Sequence, residues 1–153
     1  DHTFSMETTS CLVNPRACHE TMLSYDPTTA PKSVAVIGAG PAGMAYATVA
    51  AERGHKVTLF DAAEEIGGQF NLAKRVPGKE EFHETIRYYN TMLTKLDVDL
   101  RLGVRVSAQD LENQGFDHVV VATGIKRCYQ CWCHSWTNNV SFWTYFKYYR
   151  RSW

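Results

Sequence analysis

The stretch "SVAVIGAGPAGMAYATVAAERGHKVTLFDA", residues 33–62, constrains the fold more than any other part of the chain. Residues 34–37 are an apolar run that stops at a glycine-rich turn, the pattern of a buried parallel strand. Pro41 stands where a helix has its first turn, and there its missing N–H costs nothing. The Ala- and Met-rich segment up to Arg53 predicts that helix, with Gly54 as its stop. Residues 57–60 predict a second strand, and Asp61 stands at its tip.

Gly38, Gly40 and Gly43 complete the pattern G-x-G-x-x-G. The first glycine permits a tight turn out of the strand. The second lets main chain approach a pyrophosphate that any Cβ would strike. The third lets helix and strand pack closely. The loop Gly38, Ala39, Gly40, Pro41, Ala42 and Gly43 is thus a predicted cradle, with the diphosphate on N–H groups at the positive end of the helix. Asp61 lies eighteen residues past Gly43. A carboxylate there can accept the hydroxyl protons of an adenosine ribose and would repel a 2′-phosphate. Taken singly, the glycines also fit a ligand-free turn and Asp61 a solvated cap. The strand before, the helix after and the acid at this distance together predict dinucleotide binding.

The rest of the chain divides into zones. Residues 1–32 are polar, are punctuated by Pro15, Pro27 and Pro31, and read as irregular structure or linker. "PGKEEF" predicts a turn feeding a helix, with Glu80 and Glu81 where the helix dipole favours acids. Phe82, Ile86, Tyr89, Leu93 and Leu96 share one face of that helix, a core-packing stripe. Val98, Leu100, Leu102, Val104 and Val106 alternate and predict a strand, with a break at Gly103. "DHVVVATG" predicts a last buried strand ending in Gly124. The order of elements implies an α/β fold, a Rossmann-like doubly wound parallel sheet. The expected domains are an irregular segment over 1–32, a partial dinucleotide-binding domain over 33–124, and a non-periodic tail over 125–153.

That tail differs in kind. It holds all four tryptophans and half of the eight tyrosines, with no period that would bury those rings on one face. Cys128, Cys131, Cys133 and His134 could supply zinc ligands, but Cys133 and His134 are adjacent and crowd one tetrahedron. Haem attachment needs His directly after the second Cys of C-x-x-C, where Trp132 stands. The tail is expected to be a non-native extension, such as reading past a frameshift.

Composition excludes several classes. Sixteen basic and sixteen acidic side chains cancel, which argues against nucleic acid as a partner. Apolar runs such as residues 118–122 are far too short to span a bilayer. "DHTFSMETTS" lacks the charged head and apolar stretch of a signal peptide, and the absence of Met at position 1 allows a start inside a longer protein. Five unevenly spaced cysteines argue against a secreted disulfide framework, so a cytoplasmic location is expected.

"EIGGQF" places Gly67 and Gly68 soon after Asp61, and "VVVATG" follows later. This order resembles the FAD-binding domain of flavoproteins with two dinucleotide domains. The resemblance favours FAD over NAD and implies that Gly68, Gln69 and Gly124 line the flavin side. A closer likeness lies in "SCLVNPRACHET", "VAVIGAGPAG", "AERGHKVTLFDA", "EIGGQFNLAKRVPGKEEFHETIRYY" and "VVVATGI". Over residues 1 to 126 these resemble the bacterial NADPH-dependent 2,4-dienoyl-CoA reductases, within the trimethylamine-dehydrogenase-like iron–sulfur flavoproteins. That group, also grouped with old yellow enzyme, implies a parent with an FMN-bearing barrel, a 4Fe–4S cluster, FAD and an NADPH domain. The implied work is NADPH-dependent reduction of an enoyl thioester in unsaturated fatty acid oxidation. Cys11 matches the fourth cluster ligand of that group. The positions of the other three precede Asp1, so Cys11 is expected to be a ligand in the parent only. Cys18 and His19 match a family segment and are assigned no ligand role. The barrel and NADPH domains are missing partners, no catalytic residue is expected in this chain, and the isolated chain is expected to be inactive. Two alternatives stand: a related amine dehydrogenase or demethylase, and a non-enzymatic nucleotide- or zinc-binding module.

Overall fold

The structure is a computed structural model that describes residues 4–11, 14 and 16–125. The expectations for Cys128, Cys131, Cys133, His134 and the tail from 126 on lie outside the described residues. Along the chain run β1 (Ser33–Ile37), α1 (Pro41–Glu52), β2 (Lys56–Phe60), α2 (Phe70–Ala73), α3 (Glu81–Lys95), β3 (Asp99–Arg101), α4 (Ala108–Gln114) and β4 (His118–Val121). The four strands form one parallel sheet in the order β3-β2-β1-β4. This is the expected α/β, Rossmann-like arrangement.

Local chemistry sets the boundaries. Pro41 opens α1, and Arg53 caps its other end. Gly54 then turns away at φ +93°, a conformation that a side chain would resist. Glu81 and Glu84 lie in the first turn of α3 and Lys95 in its last, each sign matched to the dipole. Ser107 caps α4 in a reciprocal box with Asp110, and Gly115 closes that helix at φ +67°.

The core lies between one face of the sheet and helices α1 and α3. Val34 and Val36 of β1 and Val57 and Leu59 of β2 pack there with Met44, Ala47 and Ala50 of α1 and Tyr89 and Leu93 of α3. Parallel register aligns Val36 with Leu59 on one side and Val120 on the other. Val120 and Leu100 therefore join the same face. Of the predicted α3 stripe, Tyr89 and Leu93 are buried, while Phe82, Ile86 and Leu96 are half-buried. The opposite face carries Phe60, which meets Phe116 edge-on at 6.1 Å, and the Arg101 guanidinium 5.4 Å from the Phe60 ring centre.

Three expectations need correction. The alternating run 98–106 is strand only over Asp99–Arg101. Gly103 bends the chain at φ +69°, and its N–H, with that of Val104, bonds to Ala63 and Asp61 beyond the end of β2. The ladder stops because its partner strand has stopped. Second, β4 is not buried: it is an edge of the described sheet, with Val119 46% and Val121 73% exposed. Third, the short helices α2 and α4 were not anticipated, being too brief to show a helical period.

Candidate functional site

The carboxyl ends of β1, β2 and β4 converge on the glycine loop. Gly38 donates its N–H to the Phe60 carbonyl at 2.7 Å, which continues the β1–β2 pairing into the turn. Its φ is +114°, and a Cβ there would lie 2.3 Å from the Ala122 carbonyl oxygen. Gly43, inside the first turns of α1, would place a Cβ 1.8 Å from the Gly38 carbonyl oxygen. Both glycines are therefore demanded by protein packing, Gly38 by its backbone conformation as well.

Gly40 is different. It caps α1 with extended backbone (φ −77°, ψ 179°) and offers no side-chain cap. A Cβ built on it meets nothing within 4 Å. Protein packing thus gives no reason for a glycine here. The open space lies at a helix terminus whose first N–H groups have no intrahelical acceptor, where an anion is favoured. Pro41 is half-buried and Ala42 exposed on this first turn.

The Gly67–Gly68 turn forms a second wall. Gly67, at φ +111°, donates its N–H to the Ala39 carbonyl at 2.8 Å. Gly68, at φ +52°, would place a Cβ 3.0 Å from Gly40 Cα. Two bare backbones so meet at the mouth of the cradle. Asn71 steadies the turn by donating to the Ile66 carbonyl at 2.8 Å and accepting from Lys74 Nζ at 2.7 Å. Gln69 is exposed at the start of α2.

Asp61 sits half-buried just past β2. Its Oδ2 accepts the Ala39 N–H at 2.5 Å, and its Oδ1 accepts the Ala63 N–H at 2.8 Å. Ala122, past β4, donates to the Ile37 carbonyl at 2.8 Å. Its methyl group would lie 3.5 Å from a Cβ on Gly43. Gly124 is exposed at φ +70°. The fold thus brings Gly38, Ala39, Gly40, Gly43, Asp61, Gly68 and the start of "ATG" to one end of the sheet. Gln69 and Gly124 stand on the exposed rim.

Sequence reasoning passed over two residues here. Gly67, rather than Gly68, makes the hydrogen bond to the loop, and only the "GG" pair hinted at it. Ala122 is the platform for Gly38 and Gly43, and its one signal was a small residue at a strand end.

Cys11 carries an exposed thiol whose sulfur accepts the Asn14 N–H at 3.4 Å. Among the described residues no three His, Cys, Asp or Glu side chains group to hold a metal ion, and no helix is long and apolar enough to cross a membrane. A groove of about 260 Å³, lined by Ser33, Lys56, Thr58, Asp99, Arg101, Gln114 and Phe116, opens on the far face of the sheet, away from the glycine loop.

Comparison with known proteins fits this geometry. Residues 32–133 match the family described as pyridine nucleotide-disulphide oxidoreductase. A metal reductase of Desulforamulus reducens is 39% identical over 128 residues, 81% of this chain and 19% of the relative. An N,N-dimethylglycine/sarcosine dehydrogenase of Chromohalobacter salexigens is 48% identical over 99 residues, 64% of this chain and 14% of the relative. The solved structure of a 2-naphthoyl-CoA reductase in complex with 2-naphthoyl-CoA superposes with a TM-score of 0.76 at 38% identity. It covers 80% of this chain and 19% of that one. The chain therefore spans less than a fifth of the length of each of these relatives.

Proposed function

The chain belongs to the pyridine nucleotide-disulphide oxidoreductase family, and from that premise we propose that residues 33–124 are the first half of an FAD-binding domain in a longer oxidoreductase. The observation that carries this reading is Gly40: bare backbone facing open space at the uncapped start of α1. The residues present fit an adenine dinucleotide. Of the loop Gly38, Ala39, Gly40, Pro41, Ala42 and Gly43, the backbone of Gly40 and the helix start at Ala42 and Gly43 would hold its diphosphate while Gly38 and Ala39 shape the loop beneath. Asp61 would hold its ribose, and Gly68, Gln69 and Gly124 the flavin side. FAD bound there would supply a carrier that accepts electron pairs and passes on single electrons. This chain's residues would bind and orient it. The glycine loop presents N–H groups, the Gly67–Gly68 turn closes one side, and the β4 end closes another.

In the longer protein we place FMN, a 4Fe–4S cluster with Cys11 as its fourth ligand, and NADPH. Its proposed reaction is NADPH-dependent reduction of a 2,4-dienoyl-CoA. The likeness of "GGQFNLAKRVPGKEEF" to that branch supports the choice, and similarity to a solved reductase that binds an aryl-CoA thioester is in keeping with it. One observation favours a second reading, an amine dehydrogenase: the 48% identity to the dimethylglycine/sarcosine enzyme.

The binding half is tested by titrating the purified chain with FAD and ADP while following thermal unfolding. At a hundred times Kd, one site stabilises the fold by about 2.7 kcal/mol. A folded chain whose midpoint ignores both nucleotides refutes the reading. The substrate half is tested on the longer protein, by comparing NADPH oxidation with a dienoyl-CoA against oxidation of dimethylglycine. Turnover of the amine alone selects the second reading.

A further inference from the structure

Ala39 is fully buried, and its peptide groups are held from two directions. Its carbonyl accepts from Gly67, and its N–H donates to the Asp61 carboxylate at 2.5 Å. A buried N–H left without an acceptor is costly. Asp61 reaches it from 22 positions downstream. The other carboxylate oxygen is engaged by Ala63, which fixes the side chain's direction. The backbone of Asp61 is fixed too: its N–H donates to Arg101 and its carbonyl accepts from Val104.

We propose that Asp61 is a positioning residue, which fastens the glycine loop in its nucleotide-ready shape before any nucleotide arrives. The proposal rests on the dinucleotide reading above and adds to it. A carboxylate that served ribose hydroxyls alone would not need to reach back to the glycine loop, yet Asp61 Oδ2 accepts the Ala39 N–H. Here both oxygens are committed to backbone N–H groups, and ribose would draw on the lone pairs left over. The loop is thereby pre-organised, so binding need not also order it. An asparagine cannot substitute. It offers one oxygen to two N–H donors and turns its own NH₂ against the other.

The experiment compares wild type with Asp61→Asn in two measurements. The first is hydrogen exchange at the Ala39 amide without ligand. The second is calorimetric affinity for ADP and for 2′,3′-dideoxy-ADP, which lacks the ribose hydroxyls. The expected result is faster exchange at Ala39 and a loss of affinity for both nucleotides, roughly tenfold for 2′,3′-dideoxy-ADP and at least as large for ADP. Loss confined to ADP, with Ala39 exchange unchanged, overturns the proposal and leaves Asp61 a ribose reader only. Should wild type bind neither nucleotide, the dinucleotide reading fails, while exchange at Ala39 still decides the fastening role. Should Asp61→Asn not fold, Asp61→Glu replaces it, keeping the charge but overreaching by one methylene. Weakening of both nucleotides again supports the fastener, and weakening of ADP alone sinks it.

Discussion

Gly38, Gly40 and Gly43, at most five positions apart, carry three different constraints, and single substitutions should separate them. Gly40→Ala places its methyl group in open space at an ordinary φ. It should cost no more than about 1 kcal/mol of stability, that of a poorer N-cap residue, since nothing packs against the new methyl group. FAD affinity should fall by at least about tenfold, equivalent to 1.4 kcal/mol. Gly43→Ala sets a methyl group 1.8 Å from a backbone oxygen. Its expected result is destabilisation by several kcal/mol, or failure to fold, visible in denaturant unfolding without any nucleotide. A Gly40→Ala protein that binds FAD normally would contradict the assigned site. The motif's spacing made all three positions legible from sequence. It also assigned Gly38 and Gly43 to the fold and Gly40 to the ligand; what it could not supply is the wall each fold glycine meets, Ala122 for Gly38 and the Gly38 carbonyl for Gly43. Asp61 was likewise located but only half understood. Its acidity suggested ribose, while its partners Ala39 and Ala63 are a matter of how the loop closes back.

At the scale of elements, the join between β1 and β4 is made at the first residue of β1 and the residue just before β4. Asp117 Oδ2 accepts both the N–H and the hydroxyl of Ser33, each at 2.7 Å. Those bonds to Ser33, with the nearby charges of His118 and Lys32, hold the Asp117 carboxyl below its ordinary range. A lowered folded-state value means stability that is fully present above the unfolded value, about 4. It is lost as pH falls through the folded value. Asp117→Asn should therefore weaken the chain near neutrality and flatten its loss of stability in acid, as denaturant titrations across that window would report. The cap of α4 behaves in the same sense. Its Ser107 bonds lower the Asp110 carboxyl, and Ser107→Ala should cost about 1 kcal/mol, read as faster amide exchange confined to residues 108–114. Helix α3 was predictable because fifteen residues give its apolar stripe room to repeat. The alternation over 98–106 misled for a physical reason. Side-chain period reports which way residues face, whereas a strand also needs a neighbour to bond with, and β2 had already ended.

Considered as a molecule, the described sheet has one face covered by α1 and α3, while on the other Ala35, Thr58 and Phe60 are buried and Val119 and Val121 of β4 stand exposed. Leu59→Ala, inside the covered face, should cost about 2–5 kcal/mol by cavity formation. Val121→Thr, on the exposed edge, should leave stability nearly unchanged. It should lower self-association, as light scattering would record, since an open apolar edge is a template for pairing. The Ala122 contacts add a consequence for biosynthesis. The niche around Gly38 and Gly43 is walled by a residue some eighty positions later in the chain. A nascent polypeptide emerging from the ribosome therefore carries the whole fingerprint long before that niche is complete. On the proposed reading, a firm hold on the dinucleotide would wait until the "ATG" segment has cleared the exit tunnel and docked.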